Sequence, residues 1–201
     1  MTIKALIWDL EGVLLTSKYP SIEDMMAKNL GVSVEAIGDF FHSDLNDRVD
    51  LGEFPQEVFW LKLLDALGLP RERLADINEF YYRELSIDQD LLEKIKAYRM
   101  RYKTALLSNN SDVLRPMLET RWKVDGAFDE IIISCEVKIV KPDARIFNLT
   151  LARLGVKNDE AVLIDDREVN IKGAQQFGLH TVFFKNKAQA LSELEALLAH
   201  R

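Results

Sequence analysis

Five short runs of the chain are apolar almost without a break: Ile3–Trp8, Thr104–Leu107, Ile131–Ser134, Ala161–Ile164 and Thr181–Phe184. A strand with one wet face alternates polar and apolar residues, whereas a strand covered on both faces does not. The runs therefore predict buried parallel strands. Helical patterns separate the last four. One holds Met117 and Leu118, with Ser111 as its expected cap. Another holds Ile146, Phe147, Leu149–Leu151 and Leu154 and ends at Gly155. A third runs from about Glu168 to Phe177 and stops at Gly178. Strand and helix in alternation predict an α/β fold, a Rossmann-like doubly wound parallel sheet.

One stretch breaks the alternation. From about Thr16 to Leu85 there is helical periodicity and no strand signal, as in "SIEDMMAKNL" before Gly31 and "FPQEVFWLKLLDALG" ending at Gly68. This predicts an all-helical subdomain over residues 16–85, inserted into a core made of residues 1–15 and 86–201. Its expected junctions are Leu15–Tyr19 and Leu85–Asp90. The final "AQALSELEALLAHR" is an amphipathic helix that closes the core. Trp8, Trp60 and Trp122 are expected as packing residues, and His42 and His180 as structural ones.

The net charge of −7, with no basic block, argues against nucleic acid as a partner. A single cysteine, Cys135, excludes an intramolecular disulfide and a metal site made of cysteines, and fits a reducing compartment. No run approaches the roughly eighteen apolar residues of a membrane span. Asp9 interrupts the apolar start too early for a secretion signal. A cytoplasmic protein acting on small molecules is the expectation, with no membrane partner.

Polar clusters stand at the ends of four strands. These are Asp9-Leu10-Glu11-Gly12, Ser108-Asn109-Asn110, Lys141 in "KIVKPD", and Asp165-Asp166. In a parallel sheet the carboxyl ends of the strands share one edge, where ligands bind. Residues more than 150 positions apart can therefore meet there. Carboxylates gathered in this way need a cation, and hard oxygen ligands favour Mg²⁺. Lysine and serine beside such a cation point to an anionic substrate, most simply a phosphate. Taken singly, each cluster has a plainer reading as a turn former, a helix cap or a solvated loop.

Asp9 with Glu11-Gly12, Ser108 after "TALL", Lys141 in "VKPD" and "LIDDREVN" with Asp165, Asp166 and Asn170 resemble the four motifs of the haloacid dehalogenase-like (HAD) superfamily. The likeness covers nearly the whole chain, and the helical insertion resembles the family's cap. "IDDREVNI" and "VKPDARIF" are most similar to its small sugar-phosphate phosphatases, including the glucose-1-phosphate phosphatase type. The resemblance implies that Asp9 attacks phosphorus and forms an aspartyl-phosphate. It implies Mg²⁺ at Asp9, the Glu11 carbonyl, Asp165 and Asp166, with Asn170 orienting the metal's ligands. Ser108, Asn109 and Lys141 would hold phosphate oxygens, and Gly12 would make the tight turn beside the phosphate. In the cap, Arg48 is a candidate cation for substrate. The alternative for Arg48 is a surface pair with Asp44 or Asp47.

The chain departs from the family pattern at Glu11, where most of the family's phosphatases carry Asp as the acid/base. The added methylene moves the carboxyl by about 1.5 Å, and a displacement of ~1 Å can cost roughly a hundredfold in rate. Glu keeps the same proton chemistry. A phosphatase is the leading expectation. A phosphomutase or dehalogenase of the same fold, and a binding or regulatory protein without turnover, stand as alternatives.

Overall fold

The computed structural model describes residues 2–199. Each apolar run lies on a strand: β1 (Ala5–Trp8), β4 (Lys103–Ser108), β5 (Glu130–Ile133), β6 (Ala161–Asp165) and β7 (His180–Phe183). They form one sheet in the order β5-β4-β1-β6-β7, every pairing parallel. The chain runs outward from β1 to β5 on one side, then returns past β1 to β6 and β7. Such a reversal marks where open α/β sheets bind ligands.

Alternation along each strand explains why the runs are continuously apolar. Leu6, Trp8, Leu106, Val162 and Ile164 join one buried cluster, while Ala5, Ile7, Ala105, Leu107 and Leu163 join another. Helix α6 (Gln89–Arg99) and helix α11 (Lys187–Ala199) supply Leu91, Ile95 and Leu194 to the first cluster. Helix α9 (Ala144–Leu154) and helix α10 (Glu168–Gln176) supply Ile146, Phe147, Leu151 and Ala174 to the second. Gly155 ends α9 in the left-handed conformation (φ 70°) that a residue without Cβ adopts freely. Two short helices, α7 (Leu114–Met117) and α8 (Ser134–Val137), complete this part of the chain. The last two residues of the expected C-terminal helix, His200 and Arg201, lie outside the described residues.

Between Ser17 and Leu85 the described elements are helical: α1 (Ile22–Leu30), α2 (Val34–Phe41), α3 (Asp44–Asp50), α4 (Gln56–Ala66) and α5 (Leu74–Glu84), with a 3₁₀ turn at Arg71–Arg73. Met25, Ile37, Phe59, Trp60, Leu63 and Ile77 pack among themselves and continue the first core cluster.

Two features differ from the sequence expectation. Strands β2 (Leu15–Ser17) and β3 (Leu85–Ile87) pair antiparallel, Leu15 opposite Ile87 and Ser17 opposite Leu85, where the chain leaves and rejoins the sheet. Three residues are too few for a periodicity signal, and the partner lies 70 positions away. Ser111 does not cap the next helix, because its hydroxyl donates to Gln56 Oε1 instead. That helix is also short. Pro116 removes one backbone donor, and a π turn follows at Leu118–Trp122.

Phe147 is fully buried between α9 and the sheet. Phe147→Ala should lower unfolding free energy by about 3–5 kcal/mol, read as a lower urea midpoint at unchanged slope.

Candidate active site

The loops after β1, β4 and β6 and the segment before α9 meet at the carboxyl edge of the sheet. Lys141 stands at the centre, nearly fully buried. Its Nζ donates to Asp9 Oδ1 at 2.7 Å and to Asp165 Oδ2 at 2.6 Å. Burial works to lower the lysine's pKa, but the two carboxylates outweigh it and raise it. Burial also raises Asp9, and Asp165 adds to this while Lys141 opposes it. Asp165 is held by more than the lysine. Asn170 Nδ2 donates to both its oxygens (3.0 and 3.1 Å), and the Arg167 N–H donates to Oδ1 at 2.8 Å.

The lysine's backbone is pinned as firmly as its tip. Asn109 Nδ2 donates to the Lys141 carbonyl (3.0 Å), and the Lys141 N–H donates to Asn109 Oδ1 (2.7 Å). The following peptide, Lys141–Pro142, is cis. Helix α10 crosses here so closely that a Cβ on Gly173 would lie 2.5 Å from Pro142 Cβ.

Asp9, Asp165 and Asp166 each present a carboxylate oxygen within 4.8 Å of the others. Gly12 makes this approach possible. Its φ is +76°, and a Cβ there would sit 2.0 Å from Asp166 Oδ2. Burial raises Asp166, and Asp165 raises it further. Three crowded hard oxygen donors fit a small divalent cation such as Mg²⁺.

Glu11 points elsewhere. Its Oε1 accepts from Asn110 Nδ2 (3.0 Å) and from the Tyr81 hydroxyl (3.4 Å). Burial raises its pKa, and these hydrogen bonds pull it back. Tyr81 belongs to α5, so the helical segment reaches the acid directly.

A cavity of about 630 Å³ opens above these groups, between the sheet edge and the helical segment. Asp9, Glu11, Gly12, Ser108, Lys141 and Asp166 line it. Buried Ser108 makes no side-chain hydrogen bond among the described residues. Asn109 also lines the cavity, with its side-chain amide committed to the Lys141 backbone. Arg48 is not among the lining residues. It pairs with Glu53 at 2.7 Å and lies 3.9 Å from Asp44. The lining instead includes Arg167, Asp50 and His42. Asp50 is pushed up to about 8 by burial and by Glu11 nearby.

Sequence reasoning did not single out Tyr81, Asp50, Gln56 or Arg167. Arg167 follows Asp165-Asp166 directly, which is a usable signal. Tyr81 and Asp50 carry none, since only packing of the helical segment brings them here. Lys141→Met would leave two buried carboxylates without their cation. It should cost about 3–5 kcal/mol of stability, measured by denaturant titration of metal-free protein.

The family model for haloacid dehalogenase-like hydrolases matches residues 3–178. The chain is 27% identical to (S)-2-haloacid dehalogenase 4A of Burkholderia cepacia, over 98% of this chain and 96% of that protein. It is 26% identical to glyceraldehyde 3-phosphate phosphatase of Pyrococcus furiosus, over 96% and 85%. It is also 26% identical to mouse bifunctional epoxide hydrolase 2, but spans only 39% of that protein's length while 97% of this chain is covered. Among solved structures, a HAD family enzyme of Bacteroides thetaiotaomicron in complex with magnesium and inorganic phosphate superposes with a TM-score of 0.74 at 25% identity, over 90% of this chain and 93% of that one. The matched span contains the residues that converge around Lys141, and the chain belongs to the haloacid dehalogenase-like hydrolases.

Proposed function

We propose that this protein is a Mg²⁺-dependent phosphatase that hydrolyses the phosphate monoester of a small metabolite, of the sugar-phosphate class, through an aspartyl-phosphate on Asp9. The observation that carries the reading is the cluster of Asp9, Asp165 and Asp166 within 4.8 Å, with Lys141 bridging two of them. Dehalogenation needs no metal, so three carboxylates crowded at metal-binding distance argue against a dehalogenase. The phosphatase and the magnesium–phosphate complex among the similar proteins agree with this choice.

Asp9, the Glu11 carbonyl, Asp165 and Asp166 would hold the cation. When bound, it neutralises charge between the anionic nucleophile and the anionic phosphate. The remaining work falls to the chain. Lys141 keeps Asp9 oriented and offers N–H donors to phosphate oxygens. The Ser108 hydroxyl and the backbone N–H groups near Asn109 bind the same oxygens. Asp9 Oδ attacks phosphorus and the leaving oxygen departs. Glu11 donates the proton that this oxygen takes up, then removes one from the water that cleaves the aspartyl-phosphate. The upward push of burial on Glu11 favours the proton-bearing form that the first step uses. Residues 16–85 act as a cap over the core of residues 1–15 and 86–201, excluding bulk water.

Asn110 and Tyr81 act as positioning residues. They hold the longer Glu side chain where a shorter Asp would leave both donors short of a partner.

Phosphate release from sugar phosphates should require Mg²⁺, stop with EDTA and vanish in Asp9→Asn. Halide release from a 2-haloacid without phosphate release would overturn the reading in favour of a dehalogenase. Silence on both would favour a binding protein. Glu11→Asp should lower kcat by about ten- to a hundredfold with KM little changed. Asn110→Ala should do the same, and Tyr81→Phe should have a smaller effect because its bond is longer. A Glu11→Asp variant as fast as the parent would refute the positioning role.

A further inference from the structure

The charges around the cavity are unevenly placed. Its described lining carries the carboxyl groups of Asp9, Glu11, Glu23, Asp50 and Asp166, against the cations Lys141 and Arg167. Lys141 is already shared between Asp9 and Asp165. Arg167 follows Asp166 at the metal-type cluster, and its charge opposes, without reversing, the upward push of burial on Asp166 and Asp50. The wall built by the helical segment contributes Glu23 and Asp50 and no lysine or arginine. Arg48, close by in sequence, is held outside the cavity by Glu53.

Asp50 is fixed in this wall. Its carbonyl accepts from Ser134 Oγ at 2.6 Å, and the Gly52 carbonyl accepts from Lys138 Nζ at 2.6 Å. Both donors belong to the sheet side of the molecule, so the end of α3 is docked onto it. The same Ser134 oxygen accepts from the Asn110 N–H (2.9 Å), and Asn110 holds Glu11. The Asp50 carboxyl itself makes no hydrogen bond or ion pair among the described residues. Asp50 is half-buried, and a hydroxyl or ammonium group placed against its unpartnered carboxyl replaces the hydration it has lost. A second anion placed there meets the carboxyls of the helical wall, and in the described lining Arg167 is the one lysine or arginine not already shared between carboxylates.

We infer that Asp50 is a specificity-determining residue, and that the leaving group is an uncharged polyol or an amine rather than one bearing a carboxylate or second phosphate. The inference rests on the phosphatase reading and narrows its substrate class. Three phosphate monoesters of similar length test it: glycerol 3-phosphate (neutral), phosphoethanolamine (cationic) and 3-phosphoglycerate (anionic).

With the intact protein and Mg²⁺, kcat/KM for 3-phosphoglycerate should fall at least about tenfold below the better of the other two. Whichever of those two leads tells hydroxyl from ammonium recognition. Asp50→Asn should bring the ratio toward one, and Asp50→Lys should invert it. Ratios are compared within each variant, so a general loss of rate cancels. A parent enzyme that prefers 3-phosphoglycerate, or a ratio unmoved by Asp50→Asn, overturns the inference. The same three compounds titrated into Asp9→Asn with Mg²⁺ separate the two levels. Absence of turnover in the parent defeats the phosphatase reading, while the order of Kd values still decides the selectivity. Equal Kd values, with no turnover to set against them, defeat the inference as well.

Discussion

Lys141, buried between Asp9 and Asp165, is the contact around which the site is arranged. A lysine this deep survives only with partners, and its two carboxylates would repel without it. The surrounding chain exists to keep those three groups in register. Asn109 clips the lysine's backbone, Gly173 lets α10 close against Pro142, and Asn170 takes both oxygens of Asp165. Gly12 then admits Asp166, which sets a third carboxylate beside the two that share Lys141.

The helical segment takes part in this site as well as covering it. It reaches Glu11 through Tyr81, and the loop after β4 through Gln56, whose N–H donates to Asp112 Oδ1 at 2.9 Å. In return the sheet side holds the end of α3 through Ser134 and Lys138. Tyr81, Glu11, Asn110 and the end of α3 are therefore linked by hydrogen bonds that cross the cavity's two sides. A change in how the segment docks would move Tyr81 and Asp50 together.

Much of this is legible in the amino-acid sequence. Apolar runs without alternation identify strands covered on both faces, and all five stand where expected to within two residues. Asp9, Ser108 and Asp165 are polar residues at the ends of such runs, so parallel pairing brings them together, whereas Lys141 arrives on the segment between α8 and α9. The pairing of β2 with β3 was invisible because three-residue strands have no periodicity. Ser111 was misread because its hydroxyl serves a distant glutamine rather than its own helix. Arg48 and Asp50 stand two positions apart, yet one pairs with Glu53 outside the cavity and the other lines it.

The sequence by itself determined the buried strands and which polar residues gather at the sheet's carboxyl edge, because strands covered on both faces are apolar throughout and parallel strands share one edge. Only the tertiary structure decided that Asn109 holds the lysine, that Glu11 rests on Asn110 and Tyr81, and that Asp50 rather than Arg48 faces the cavity. These outcomes depend on how a helical segment docks on a sheet edge. Docking is set by the packing of many weak contacts between residues far apart in the chain, and no local pattern records it.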